Sequence, residues 1–164
     1  MKNHIDFSKI SFILMDIDGV LTDGSLLYGP EGEITKVFSV YDGHGIYRGH
    51  QLGLKFGAIS GREAEANLRR AEKLKLEEMY QNCNDKVAAY EEIKAKYGLT
   101  DENFCYVGDE VFDLPLLRKV AFSCAPSNAL PEVKGEVDYV TSLAGGKGAV
   151  REIIDIILKE KQLI

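Results

Sequence analysis

Short apolar runs alternate along the chain with longer segments in which apolar residues recur at helical spacing. The first run, Ile10 to Ile17, ends in acidic residues, and shorter runs follow at 54–59, 104–107, 120–124 and 137–140. Segments that predict helices lie between or after them, at about 43–52, 62–74, 85–97, 110–118 and 147–160. Strands that alternate with helices of this length indicate βαβ units and a parallel sheet. The absence of polar alternation in the runs suits strands that helices cover on both faces.

The segment 25–38 departs from this alternation. Its two arms, Ser25 to Tyr28 and Glu33 to Phe38, are rich in apolar, aromatic and β-branched residues, and the turn signal Gly29-Pro30-Glu31-Gly32 separates them. This pattern predicts a β-hairpin directly after the first strand, where a parallel fold normally places a helix. We therefore expect an α/β fold with a Rossmann-like parallel sheet, flanking helices and a hairpin insertion.

Composition narrows the classes of protein to which this fold can belong. The 164 residues are the length of one domain, so we expect a single domain over 1–164. The net charge of −6 argues against broad nucleic-acid binding, which depends on Lys and Arg to neutralise phosphates. We expect no membrane span, and no secretory leader in the charged first nine residues. Three sparse cysteines fit a reducing cytoplasm.

Polar side chains cluster at the predicted carboxyl ends of the strands, where open α/β sheets bind ligands. In chain order these groups are Asp16-Ile17-Asp18-Gly19, Ser60-Gly61-Arg62, Asp85-Lys86, and Gly108-Asp109 with Asp113 on the following helix. Acid pairs, a hydroxyl and an ammonium group at one edge can hold a metal ion and a phosphate together.

The segment Asp16-Ile17-Asp18-Gly19 resembles the first motif of the haloacid-dehalogenase-like (HAD-like) phosphatases. The three later motifs of that superfamily have counterparts in the same order at Ser60, Lys86 and Gly108-Asp109 with Asp113. Further stretches resemble one subfamily, the 3-deoxy-D-manno-octulosonate 8-phosphate (KDO 8-phosphate) phosphatases, namely 24–38, 41–46, 59–62, 106–109 and 144–152. The resemblance implies a Mg²⁺-dependent enzyme that removes phosphate from this sugar acid, giving Kdo for lipopolysaccharide synthesis.

The chemistry of phosphate monoesters assigns roles to the first acid pair. Uncatalysed hydrolysis is extremely slow, and a carboxylate nucleophile divides it into two easier steps through an aspartyl-phosphate. We expect Asp16 to attack phosphorus. We expect Asp18 to protonate the leaving oxygen and then to activate the water that hydrolyses the intermediate.

The remaining motif residues are expected to hold the metal and the phosphoryl group. The expected Mg²⁺ ligands are Asp16, Asp109 and the backbone carbonyl of Asp18. Ser60 and Lys86 are expected to hold phosphoryl oxygens. Asp113 is expected behind them, where it orients Lys86 or a metal-bound water.

Some of these side chains also have plainer interpretations. Ser60 can serve as the N-cap of the helix at 62–74, and Asp113 can favour a helix N-terminus through the dipole. Arg62 suits the sugar acid's carboxylate or the phosphate, or it is a solvated arginine. Lys147 suits the substrate carboxylate, including one across a subunit interface, or it belongs to a flexible glycine-rich loop.

No segment between the motifs has room for a cap domain. Ile17 to Ile59 already contains the hairpin, a helix and a strand, and Gly61 to Asp85 holds a helix and a short strand at most. An open site would leave the phosphoryl intermediate in bulk water. A neighbouring subunit is therefore the expected cover, with the hairpin as contact element, and the resemblance implies a homotetramer.

The motifs are also compatible with two alternative functions. The motifs handle a phosphoryl group that all candidate esters share, so a nine-carbon ulosonate 9-phosphate of the KDN or sialic acid type is an alternative substrate. A receiver-like signalling domain also places a phospho-accepting Asp and a Lys on a parallel sheet. Receivers do not require a second Asp two residues after the acceptor, so Asp18 favours the phosphatase.

Overall fold

A six-stranded parallel sheet runs through the protein in the computed structural model, which describes residues 5–164. Residues 1–4 of the N-terminal segment considered above lie outside the described range. The strands are β1 Phe12–Met15, β2 Leu27–Tyr28, β3 Ile34–Thr35, β4 Lys55–Ile59, β5 Glu78–Tyr80, β6 Phe104–Val107, β7 Phe122–Ala125 and β8 Tyr139–Val140. The main sheet has the order β5-β4-β1-β6-β7-β8, and β2 pairs with β3 separately. The predicted parallel α/β fold is therefore confirmed.

Helices connect these strands and differ from the predicted ones mainly at their ends. They are α1 Val40–Gln51, α2 Glu65–Leu74, α3 Lys86–Tyr97, α4 Leu114–Leu117, α5 Pro131–Lys134 and α6 Ala149–Glu160. Helix α1 begins before the predicted position because the Ser39 hydroxyl caps it, accepting the N–H of Tyr41 at 3.1 Å. The predicted helix at 110–118 is a 3₁₀ turn, Val111–Asp113, followed by the short α4. The short α5 was not predicted.

The side chains of β1 alternate between two apolar cores, one on each face of the sheet. Ile13 and Met15 pack in the core that contains Ile154 of α6, whereas Phe12 and Leu14 pack in the core of α3 and α4. All four β1 residues are buried. Coverage on both faces explains why the strand has no polar alternation.

The strand order creates a crevice at the end of β1. Strand β4 lies on one side of β1 and β6 on the other. The chain builds the sheet outward from β1 through β4 and β5 and then crosses back to β6, so the strand order reverses at β1. Such a switch point is where open α/β sheets bind ligands. Asp16, Ser60 and Gly108 immediately follow β1, β4 and β6, so their loops meet at this crevice.

The predicted hairpin is present, and its surface is apolar. Strand β2 pairs antiparallel with β3, and Leu27, Tyr28 and Val37 are 58, 64 and 68% exposed. Within residues 5–164, only this hairpin and α1 separate β1 from β4, so no cap domain is present there. No helix in that range is long and apolar enough to cross a bilayer.

Candidate active site

Lys86 bridges two carboxylates at the floor of the crevice. Asp85 caps α3, which makes Lys86 the first helical residue and aims it at the end of β1. Its Nζ lies 2.7 Å from Oδ2 of Asp16 and 2.6 Å from Oδ1 of Asp113. Burial lowers the pKa of Lys86, but the two carboxylates more than offset this, so the net pKa is raised. The ammonium form of Lys86 is therefore favoured in the crevice.

Asp113 is fully buried, and all of its hydrogen-bonding capacity is directed at other protein groups. Its Oδ1 accepts from Lys86 and from the hydroxyl of Tyr106, which lies at 2.6 Å. Its Oδ2 accepts the backbone N–H groups of Asp109 at 3.0 Å and Glu110 at 3.1 Å. A carboxylate saturated in this way holds Lys86 and the loop after β6 and has no free oxygen to offer a ligand.

Asp16 and Asp109 share a region in which negative charge is poorly compensated. Burial raises the pKa of Asp16 to about 6 against the opposing effect of Lys86. Burial and then the Asp16 carboxylate raise the pKa of Asp109 to about 7. Oδ1 of Asp109 is buried and accepts no hydrogen bond from residues 5–164. Carboxylate oxygens of Asp16, Asp109 and Asp113 lie within 4.8 Å of one another.

This donor set fits a divalent cation. Two crowded carboxylates with raised pKa values and an unpartnered buried oxygen are groups that a hard cation would neutralise. Asp113 is already saturated, so Asp16 and Asp109 are the side chains that would hold the ion. The sequence also predicts the carbonyl of Asp18 as a ligand. The adjacent Gly19 has φ +85°, and a Cβ there would overlap the Asp109 carboxylate, so only glycine leaves room for this arrangement.

Asp18 faces two cations at the rim of the same crevice. Its Oδ1 lies 2.7 Å from Nζ of Lys36, and its Oδ2 lies 3.4 Å from Nε of Arg62. The Asp18 side chain is 24% exposed and that of Arg62 is 46% exposed. Asp18 thus borders both the protein interior and the open cleft, which suits a group that exchanges protons with a bound substrate.

Ser60 is buried at the end of β4 and is not a helix cap. Its Oγ donates to the carbonyl of Arg62 at 3.0 Å and accepts the N–H of the same residue at 3.2 Å. Helix α2 begins later, at Glu65, with Ala64 as N-cap. The N-cap interpretation of Ser60 is therefore wrong, and its hydroxyl lies in the turn that borders the crevice.

One cleft of about 780 Å³ contains most of the predicted site residues. Its lining includes Asp16, Asp18, Ser60, Arg62, Lys86 and Asp109. Lys147 does not line this cleft. It lines a second cleft of about 900 Å³ between α1 and α6, with Tyr41, His44 and Arg151.

Comparison with known proteins identifies the family. The sequence profile of the haloacid dehalogenase-like hydrolases matches residues 78–154. The 3-deoxy-D-manno-octulosonate 8-phosphate phosphatase KdsC of Escherichia coli strain K12 is 38% identical over 150 residues, which cover 92% of this chain and 80% of that protein. This chain belongs to the KDO 8-phosphate phosphatase family.

Solved structures of the KDO 8-phosphate phosphatases share the fold over almost the whole chain. The Moraxella catarrhalis enzyme, in complex with magnesium ion, phosphate ion and KDO, gives a TM-score of 0.93 at 35% identity and covers 99% of this chain and 94% of its own. The cobalt-bound enzyme from Haemophilus influenzae gives 0.91 at 36% identity, with coverages of 95% and 91%. The resemblance and the fold class predicted from the sequence are confirmed.

Three residues with contacts to the catalytic motifs were not predicted. Lys36 reaches Asp18 from the hairpin, and the Tyr106 hydroxyl donates to Asp113. Asn128 donates to the carbonyl of Gly19 at 3.0 Å and accepts the N–H of Gly145 at 2.6 Å, which ties the loop before α6 to the loop after β1.

For Lys36 the sequence did indicate a buried side chain with a charged partner. In an extended arm, Ile34, Lys36 and Phe38 share one face. A lysine between two apolar residues on one face indicates burial with a partner. For Asn128 no local signal exists, because its partners are distant in sequence.

Proposed function

We propose that this protein is a Mg²⁺-dependent phosphatase that hydrolyses KDO 8-phosphate through an aspartyl-phosphate on Asp16 and so supplies Kdo for lipopolysaccharide synthesis. The observation that carries the proposal is the convergence of Asp16, Asp109 and Lys86 in one cleft, two under-neutralised carboxylates beside a fixed ammonium group. The names of relatives that share 38% of the sequence give the substrate. We assign the chain to a single phosphatase domain, and the hairpin is part of that domain.

In the first step, a carboxylate oxygen of Asp16 forms a bond to phosphorus while the bond from phosphorus to the sugar oxygen breaks. Asp18 gives its proton to that leaving oxygen. Lys86 and Ser60 hold the non-bridging phosphoryl oxygens and stabilise the charge that develops on them. Mg²⁺, when bound by Asp16, Asp109 and the Asp18 carbonyl, supplies positive charge that offsets the repulsion between nucleophile and phosphate.

In the second step, Asp18 acts as a general base rather than a general acid. Its carboxylate removes a proton from water as the water oxygen attacks phosphorus and the acyl-phosphate bond to Asp16 breaks. Inorganic phosphate leaves and Asp18 regains the proton that it donated. Because Asp18 borders both Lys36 and the open cleft, water can reach it once the sugar has left.

Recognition of the sugar acid is assigned to the rim and to a neighbouring subunit. Arg62 lies in the cleft with a half-exposed guanidinium group that suits a carboxylate. Lys147 lies in the second cleft of its own chain, so we assign it to the substrate of a neighbouring subunit. A nine-carbon ulosonate 9-phosphate remains the alternative substrate, since the phosphoryl-binding residues do not sense chain length.

The protein is proposed to form a homotetramer in which the hairpin of one subunit covers the cleft of another. The exposed apolar residues Leu27, Tyr28 and Val37 on the hairpin, and Val40 and Tyr41 at the start of α1, support this contact. Light scattering at micromolar concentration should give the tetramer mass, and a monomer mass would refute the assembly. The free thiols, including Cys105 and Cys124 at an Sγ–Sγ distance of 3.9 Å, fit the proposed cytoplasmic location.

The proposed function is tested by measuring phosphate release from a panel of esters. We would compare kcat/KM for KDO 8-phosphate, a nine-carbon ulosonate 9-phosphate, hexose phosphates and nitrophenyl phosphate, with Mg²⁺ and with chelator. The proposal expects metal-dependent turnover that is fastest on the eight-carbon acid. Preference for the nine-carbon acid would retain the mechanism but change the substrate. Absence of turnover with metal bound would favour a receiver-like phospho-accepting domain.

A further inference from the structure

The hairpin contributes a buried cation to the catalytic cleft of its own chain. Lys36 follows β3, and its side chain is 0% exposed. Its Nζ lies 2.7 Å from Oδ1 of Asp18, although the two groups are not aligned as a hydrogen bond. Within residues 5–164, no other carboxylate lies within ion-pair distance of Lys36, and its ammonium group makes no hydrogen bond.

Fold stability does not explain this arrangement. Burial of an ammonium group has a large desolvation penalty, which a single ion pair often fails to offset. The other ion pair of Asp18, with Arg62, is partly exposed and longer at 3.4 Å, so it restrains the carboxylate less. The short contact with Lys36 instead fixes one oxygen of Asp18 and leaves the other directed toward Arg62 and the cleft.

We propose that Lys36 is a positioning residue for Asp18, an inference that rests on the proposed phosphatase function. Asp18 must place one carboxyl oxygen beside the leaving sugar oxygen and later beside the attacking water. Its carboxylate can otherwise rotate, and general acid–base catalysis requires the acid within hydrogen-bonding reach of the reacting atom. Lys36 holds Oδ1 and thereby fixes the plane of the carboxylate. The hairpin is then a part of its own subunit's catalytic centre, in addition to any cover that it gives a neighbour.

The leaving group offers a way to isolate this role. When Asp16 displaces an alkoxide, the alkoxide needs a proton from Asp18. When Asp16 displaces nitrophenolate, the phosphorus–oxygen bond breaks without a proton, because that anion is stable. A misplaced Asp18 therefore slows the first step for alkyl esters only, whereas it slows water attack on the aspartyl-phosphate for both kinds of ester.

The test compares wild type with Lys36→Met, which removes the ammonium group but keeps an unbranched apolar stem. Lys94→Met is the matched control for loss of a lysine ammonium group, because Lys94 pairs with Asp101 and does not line the cleft. Rapid-quench measurements follow the first turnover and the steady state with KDO 8-phosphate, a simple alkyl phosphate and nitrophenyl phosphate. Thermal unfolding and light scattering check that each variant keeps its fold and assembly.

We expect Lys36→Met to slow first-turnover cleavage of both alkyl esters by about 10–100-fold, a part of the roughly 10²–10⁴-fold that general acid–base catalysis contributes, because the acid itself remains. Release of nitrophenolate in the first turnover should keep its wild-type rate and be followed by a slower steady state, that is, a burst. Lys94→Met should behave as wild type with all three esters. Equal losses on alkyl and aryl esters, or no loss on either, would overturn the inference.

The two proposals fail in different ways. If wild type leaves KDO 8-phosphate unchanged but hydrolyses the simple alkyl phosphate, the proposed substrate is wrong while the comparison of Lys36→Met with wild type remains decisive. If wild type cleaves neither alkyl ester, Asp18 is not a working acid, and both proposals are refuted. If wild type cleaves both alkyl esters and Lys36→Met cleaves them at the same first-turnover rate, only the role of Lys36 is refuted.

Discussion

Gly19 and Asp109 fit together so closely that the glycine has no substitute. A Cβ on Gly19 would overlap the carboxylate of Asp109, and the Gly19 backbone has φ +85°, a conformation that other L-residues rarely adopt. The carboxylate that would hold the metal therefore packs against the backbone of the loop that carries Asp16 and Asp18. This contact joins the end of β6 to the end of β1. It thereby sets the distance between the carboxylates of Asp109 and Asp16.

Gly19→Ala should accordingly damage metal binding more than the backbone strain alone would. The matched control is Gly53→Ala, since Gly53 has nearly the same φ, +87°, but nothing within 4 Å of the position of its Cβ. Both variants should lose about 1 kcal/mol or more from backbone strain. Only Gly19→Ala should also weaken Mg²⁺ affinity, measured by calorimetry. Equal affinities in the two variants would show that Asp109 does not depend on the glycine.

Tyr106 should affect turnover through Asp113 and Lys86. In Tyr106→Phe the buried Oδ1 of Asp113 loses a donor at 2.6 Å. Loss of a hydrogen bond to a charged group costs about 1.5–3 kcal/mol. Lys86 also becomes free to shift, so we expect kcat to fall by about tenfold, which corresponds to about 1.4 kcal/mol in the barrier.

Tyr90→Phe provides the comparison for Tyr106→Phe. The Tyr90 hydroxyl donates to Asp101 at 2.6 Å, and neither residue lines the cleft. Chemical denaturation should show a loss of stability in both variants, whereas steady-state kinetics should show a lower kcat only for Tyr106→Phe. An unchanged kcat in a folded Tyr106→Phe protein would contradict the positioning role.

Sequence patterns located the parts of the site that follow directly from the topology. Asp16, Ser60 and Asp109 stand one or two residues beyond the ends of parallel strands. All parallel strands end at the same edge, so their convergence could be predicted. Lys86 could be predicted because the Asp85 cap fixes where α3 begins. The hairpin could be predicted because its turn and its apolar arms are local features.

What could not be predicted depends on tertiary contacts. Asn128 joins Gly19 to Gly145, and these partners lie in separate loops whose contact only the folded chain creates. Tyr106 lies in an apolar run, and nothing in that run indicates that its hydroxyl donates to Asp113 on the following turn. The place of Lys147 beside the second cleft depends on how the loop 144–148 packs against 19–23, which spacing along the chain does not determine.

Asp16→Asn should abolish turnover without unfolding the protein. The amide cannot form the aspartyl-phosphate, so kcat should fall by at least about 10⁴-fold, as for loss of other catalytic nucleophiles. Removal of a buried negative charge beside Asp109 also relieves repulsion, since Asp16 raises the pKa of Asp109. The stability of the metal-free variant at pH 7 should therefore match or exceed that of wild type in thermal unfolding.

Asp23→Asn is the matched control for Asp16→Asn. Asp23 is an exposed acid of the same loop, with its Oδ1 accepting the N–H of Ser25 at 2.9 Å. It should retain wild-type turnover. Normal turnover by Asp16→Asn would instead exclude Asp16 as the nucleophile.

The raised pKa values of Asp16 and Asp109 make both metal binding and stability depend on pH. Their values of about 6 and about 7 lie above the ordinary 3.8. Between about pH 4 and 7, the folded metal-free protein thus holds protons that the unfolded chain has released. The contribution of these groups to the free energy of unfolding is greatest below pH 4 and falls as the pH rises through 6 and 7.

Metal binding should show the opposite trend, because Mg²⁺ requires ionised carboxylates and displaces their protons. The rise in Tm on adding Mg²⁺ should be small at pH 5.5 and larger at pH 8, and calorimetry in buffers of different ionisation enthalpy should detect proton release near pH 6.5. Asp109→Asn should remove most of this pH dependence, because it eliminates the higher of the two titrations. An Mg²⁺-induced Tm shift that is the same at both pH values would show that these carboxylates do not hold the ion.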